Sequence, residues 1–128
     1  MLSFSANIIS GAGRGKGLGT PTLNLDLAHV PAELEEGIYA CVANGQPAVM
    51  HYGPRLVFKD STTCEVHLLD TTPPPDLAEL SVQVLERIRD VRDFPTPDAL
   101  REEITRDIAR TRAILSARAP EHQTPDRQ

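Results

Sequence analysis

Five of the eight glycines in this 128-residue chain stand at alternate positions, Gly11, Gly13, Gly15, Gly17 and Gly19, with Arg14 and Lys16 between them. Residues without Cβ let successive backbone amides converge on an anion. Arg14 could clamp an oxyanion with two N–H groups, and Lys16 could act as a point charge. Pro21 stiffens the exit from the segment. Thr22 and Asn24, two apart in an extended stretch, point to the same side. A hydroxyl and a carboxamide so placed suit Mg²⁺ that keeps most of its shell as water and phosphate. Gly13, Arg14, Gly15, Lys16, Gly19 and Pro21 are therefore candidate nucleotide-phosphate ligands, and Thr22 and Asn24 candidate metal ligands. Ser10 occupies the place of the first glycine of a Walker A loop, and no GxGxxG register followed by a helix fits. A flexible glycine-rich linker is the competing reading, and residue chemistry alone leaves the two evenly matched.

A second chemical candidate lies about forty residues on. Residues 64–70 alternate as a strand, with Cys64, Val66 and Leu68 on one face and Glu65, His67 and Leu69 on the other. With the apolar set toward a core, Glu65 and His67 face outward, where a cleft can form. A carboxylate there can accept a proton from an attacking alcohol, help worth about 10²–10⁴-fold in rate. Without further context a solvated strand carboxylate is the simpler reading of Glu65. His67 could support Glu65 or simply pack. His29, His51 and His122 lack metal-site spacing, so no zinc site is expected. Arg106, Arg110 and Arg112 read as the solvated face of a helix.

The elements that would position these groups follow from periodicity. Leu2, Phe4, Ala6 and Ile8 alternate as a first strand. Residues 11–24 are too rich in glycine for anything but a loop. Strands follow at 38–43 and 47–52 around the Asn44-Gly45 turn signal, then a short one at 56–58, then 64–70. Pro73, Pro74 and Pro75 force an extended loop. Leu80, Val82, Val84, Glu86 and Ile88 alternate along a last strand. Thr96 can cap a helix with Pro97 first and Asp98 beside the dipole. Leu100, Ile104, Ile108 and Leu115 then trace its apolar stripe. Residues 1–117 thus form one domain, and 118–128, with two prolines and little apolar content, read as a flexible tail. Short strands followed by one helix predict a mainly β antiparallel barrel or sandwich with that helix packed on it. Closure is favoured because it removes edges.

Composition narrows the function classes. The net charge of −5 and the scarcity of aromatics, three Phe, two Tyr and no Trp, argue against a nucleic-acid surface. No basic leader and no long apolar stretch is present, which points to the cytoplasm and away from membranes. Cys41 and Cys64 lack CxxC spacing and read as reduced core thiols.

Gly13-Arg14-Gly15-Lys16-Gly17-Leu18-Gly19-Thr20-Pro21-Thr22-Leu23-Asn24 resembles the GRGxxLGxPTxN signature of the riboflavin kinase (flavokinase) family. The likeness continues in order through Glu36-Gly37-Ile38-Tyr39-Ala40 and through Cys64-Glu65-Val66-His67-Leu68-Leu69-Asp70. It ends with Ile88-Arg89, Phe94 and a helix carrying Leu100, Ile104 and Asp107. Four collinear motifs over about residues 8–115 are far more specific than any one. The resemblance implies a closed six-stranded Greek-key barrel with a C-terminal helix. It also implies transfer of the ATP γ-phosphoryl group to the riboflavin 5′-hydroxyl to give FMN. Thr22 and Asn24 would meet Mg²⁺–ATP, Glu65 would be the base, and the loop from Arg89 to Phe94 would border the flavin. The chain would be a stand-alone kinase domain, without the FMN adenylyltransferase domain, and a monomer. It departs from the family pattern at Thr20, at residues 51–55 and at 71–76. Those departures keep open the alternative of a non-catalytic flavin- or nucleotide-binding module.

Overall fold

The computed structural model describes residues 2–10, 22–54, 62–74, 76–92 and 94–127, with residue 10 and residues 119–127 as backbone alone. Six strands are followed by one long helix: β1 Leu2–Ser10, β2 Thr22–Leu25, β3 Gly37–Ala43, β4 Gln46–Pro54, β5 Thr62–Leu68, β6 Glu79–Arg89 and α1 Pro97–Arg127. The strands close into a barrel in the order β1-β2-β5-β4-β3-β6, every pair antiparallel. β3, β4 and β5 form a meander and β6 returns beside β3, which is the Greek-key order. The expected barrel is present, and among the described strands no sheet edge is left unpaired.

Inside lie Leu23 and Leu25 of β2, Cys41 of β3, Met50 of β4, Cys64, Val66 and Leu68 of β5, and Leu80 and Val82 of β6. Asn44 (φ 49) and Gly45 (φ 80) turn the β3–β4 hairpin, and Ala43 pairs with Gln46. Positive φ at both central residues is what a two-residue hairpin turn requires, so Asn-Gly marked it correctly. Both cysteines are free and buried, and burial pushes the Cys64 thiol up to about 12. A thiol so desolvated is a core filler rather than a nucleophile.

Three expectations need correction. The loop expected through Asn24 ends earlier, because residues 22–25 form β2 between β1 and β5. Leu23 and Leu25 supply an inward face that the neighbouring glycines obscured. The alternation predicted for residues 80–88 breaks at Glu86. In β6, Val84 and Glu86 pair with Cys41 and Ala40, and Arg87 and Arg89 with Tyr39 and Ile38. Leu85 and Ile88 are thus extra residues, and each such bulge flips the following side chains, taking Glu86 off the core face.

The third correction concerns α1. Thr96 caps it as expected, its Oγ1 accepting from the Ala99 N–H at 3.1 Å. The expected apolar stripe is not the buried one, however. Leu100 is 39% exposed, whereas Glu103, Asp107 and Thr111 are 7%, 2% and 0% exposed. Spaced by four, these three form one polar face, and Arg89 of β6 supplies the opposite charge that lets it be buried. The helical backbone runs to Arg127. The short strand expected at 56–58 lies outside the described residues. Among those described, no helix is long and apolar enough to cross a membrane.

Candidate functional site

The outer face of the barrel is organised in rungs. One rung runs Asn24, Glu65, His51, Ile38, Arg89 across β2, β5, β4, β3 and β6. The next, two residues along, runs Thr22, His67, Val49, Ala40, Glu86. Because the side-chain period of a strand is two, both rungs point the same way, away from the core. α1 lies over β3, β4 and β6, and Ile38, Ala40 and Val49 are buried on that side. Thr22, Asn24, Glu65 and His67 form the half of this face on β2 and β5, strands outside the helix's main footprint.

Thr22, Asn24 and Glu65 are therefore brought together from residues forty apart. Asn24 and Glu65 are direct cross-strand partners, and Thr22 sits one rung away on the same side. Asn24, Glu65 and His67 are partly buried, and Thr22 is 4% exposed. The Thr63 hydroxyl donates to Glu65 Oε2 at 3.3 Å. Thr22 Oγ1 and His67 Nδ1 are 3.2 Å apart. Burial lowers the pKa of His67, while the charges of Glu65 and Asp107 pull it up and His51 pushes it down. The site thus feels the helix through Asp107.

Among the described residues no group of three His, Cys, Asp or Glu could hold a metal by itself. A neutral hydroxyl and carboxamide suit a hard cation that brings phosphate and water with it, which is how magnesium is commonly held at nucleotides. The donor set fits that use. The predicted phosphate ligands Gly13, Arg14, Gly15, Lys16, Gly19 and Pro21 lie outside the described residues. The two ends of their segment are described: Ser10 of β1 pairs with Asn24 of β2, so the chain leaves and re-enters the sheet beside Asn24.

Arg89 and Phe94 stand elsewhere, at the seam between barrel and helix. Arg89 donates from Nε to Asp107 Oδ1 at 2.9 Å, from Nη2 to Asp107 Oδ2 at 2.8 Å and from Nη1 to the Asp90 carbonyl at 3.0 Å. Its Nε also lies 3.4 Å from Glu103. Phe94 lies under two cations, with the Arg89 and Arg92 guanidinium carbons 5.5 and 5.0 Å from the ring centre. Arg106 and Arg110, read as solvent-facing, are exposed but bond Glu103 at 2.7 and 3.2 Å. Arg112 ties the helix to Asp70, just after β5, at 2.9 Å. Burial opposes the charge on Glu103. The hydrogen bond from Arg110 and the charges of Arg89, Arg106 and Arg110 outweigh that, holding its carboxyl below the usual range. Sequence reasoning missed this seam, although the i, i+4, i+8 spacing of Glu103, Asp107 and Thr111 was a readable signal.

The family model for riboflavin kinase, or flavokinase, matches residues 1–115. This chain belongs to the riboflavin kinase family. The family's reaction is the ATP-dependent phosphorylation of riboflavin to FMN, typically with a divalent metal. No curated protein matches the chain significantly. Among solved structures, one described as a macrolide-efflux protein from Streptococcus pneumoniae superposes with a TM-score of 0.70 at 25% identity. The match covers 87% of this riboflavin kinase family chain and 38% of that one, so the chain spans well under half the length of the protein it resembles.

Proposed function

We propose that this chain is an ATP:riboflavin 5′-phosphotransferase whose reacting groups gather on the outer face of β2 and β5. The observation that carries the reading is the register: Asn24 opposite Glu65, with Thr22 on the same side one rung away. A hydroxyl, a carboxamide and a carboxylate meet there beside both ends of the glycine segment.

Glu65 takes the proton of the ribityl 5′-hydroxyl as its oxygen attacks the γ-phosphorus. The new O–P bond forms as the bond to the β-phosphate oxygen breaks, leaving FMN, ADP and a protonated Glu65. Most of the acceleration in such transfers comes from positioning and charge neutralisation, with the base adding a smaller factor. The backbone amides of the glycine segment, with Arg14 and Lys16, hold the donor phosphates. Thr22 and Asn24 hold Mg²⁺, which neutralises phosphate charge when bound. Arg89, committed to Asp107, holds Phe94 where that ring borders the flavin. A monomeric state and a cytoplasmic location belong to the same proposal.

Incubation with riboflavin, ATP and Mg²⁺, followed by chromatographic separation of flavins, tests it. FMN should form with the wild type and drop sharply with Glu65→Gln, while flavin quenching persists. Flavin binding with no FMN from any nucleotide donor would leave a non-catalytic binding module in its place.

A further inference from the structure

Thr22 and His67 are direct cross-strand partners, and their polar atoms meet at 3.2 Å. Thr22 is 4% exposed, so its hydroxyl has few other places to turn. On the far side of His67 stands Val49 of β4, buried and apolar, which offers no competing hydrogen bond. Across the two neighbouring strands the imidazole thus has one polar and one apolar partner, with Glu65, His51 and Asp107 close enough to act on it by charge, and its Nδ1 lies 3.2 Å from the hydroxyl.

A threonine hydroxyl has one proton and two lone pairs. If Nδ1 carries hydrogen, it occupies one lone pair of Oγ1, and the hydroxyl proton and the other lone pair share the remaining directions. If Nδ1 is bare, it accepts that proton, and both lone pairs remain for a cation. Either arrangement leaves a lone pair for a cation, but only the second leaves both and points the hydroxyl proton away from it.

We propose that His67 is a positioning residue that accepts the Thr22 hydroxyl proton at Nδ1 and so turns the oxygen's lone pairs toward the metal–nucleotide. This rests on Thr22 being a ligand, as the functional reading holds. The role is that of an outer partner orienting a metal ligand, and loss of such partners costs about 10–100-fold in metal affinity. It also explains why a histidine should share a face with the base without being one.

Imidazole ¹⁵N NMR of the wild-type protein should show His67 with a bare Nδ1 and a protonated Nε2; a protonated Nδ1 overturns the inference. In the presence of ADP, His67→Leu should weaken Mn²⁺ binding, read by electron paramagnetic resonance, at least about tenfold. The KM for Mg²⁺ should rise by a similar factor, with a smaller change in kcat at saturating metal. His67→Asn, whose Oδ1 can stand where Nδ1 stood, should restore most of the affinity. Thr22→Val should show the same loss, with nothing further lost on adding His67→Leu. Wild-type Mn²⁺ affinity in a folded His67→Leu overturns the positioning role while Thr22→Val still loses metal. Wild-type Mn²⁺ affinity in Thr22→Val removes the metal assignment itself, and this inference with it.

Discussion

Two polar regions sit on the same outer face of this barrel, and they treat charge in opposite ways. At the helix seam, Arg89, Asp107, Glu103 and Arg110 satisfy one another through several ionic hydrogen bonds, the shortest at 2.8 Å. On β2 and β5, Thr22, Asn24, Glu65 and His67 present one carboxylate and three uncharged or titratable polar groups. The side-chain bonds described there are 3.2 and 3.3 Å long. A network of matched charges fixes geometry, and a collection of dissimilar donors and acceptors on one side is suited to a ligand. The first region ties the helix to the barrel, and the second is the one the proposed function uses. Arg89, expected at the flavin, also makes hydrogen bonds to Asp107 within this anchor.

The sharpest way to break that contrast is to remove one acid from each region. Glu65→Gln should lower FMN formation about 10²–10⁴-fold with little change in urea-induced unfolding. A large loss of stability with activity retained would place Glu65 among the anchoring residues. Asp107→Ala leaves Arg89 facing a buried gap and should destabilise the protein by about 3–5 kcal/mol in the same unfolding measurement. An unchanged unfolding midpoint would show that the seam is not what holds α1.

The contrast can then be refined by pH. Glu103 has its folded pKa lowered, so its contribution is present above the unfolded value of about 4.3 and is lost as pH falls through the folded one. Melting temperature should therefore drop on acidification below about pH 4.3, and more steeply in wild type than in Glu103→Gln. Parallel curves would remove Glu103 from the stabilising set. The smallest effect is expected far from both regions. Thr96→Ala removes the cap of α1 and should cost about 1 kcal/mol in unfolding free energy, with FMN formation per folded molecule unchanged.

Much of this organisation was legible because it is local. Sequence patterns placed strands at the N-terminus and at 38–43, 47–52 and 64–70, close to the observed 2–10, 37–43, 46–54 and 62–68, and Asn44-Gly45 marked the hairpin turn. Thr96, Pro97 and Asp98 marked the start of the helix. The outward aim of Glu65 followed from Cys64, Val66 and Leu68 alone, and these three are 1%, 0% and 3% exposed. β2 was hidden because a four-residue strand after a glycine run carries too short a pattern to stand out. The bulges at Leu85 and Ile88 were hidden for a different reason. A bulge is a property of two paired strands, and nothing in β6 alone says which residue lacks a partner.

The sequence by itself determined the candidate groups: a glycine-rich segment, a hydroxyl and carboxamide after Pro21, and a glutamate turned away from the core. Side-chain chemistry and strand period are properties of adjacent residues, so one strand suffices to read them. Only the tertiary structure decided that Asn24 stands opposite Glu65, that Thr22 meets His67, and that Arg89 is taken up by Asp107. Register between strands and the docking of a helix arise from contacts between residues far apart in the chain. A buried carboxylate on a helix is tolerable only when a distant strand delivers the matching cation.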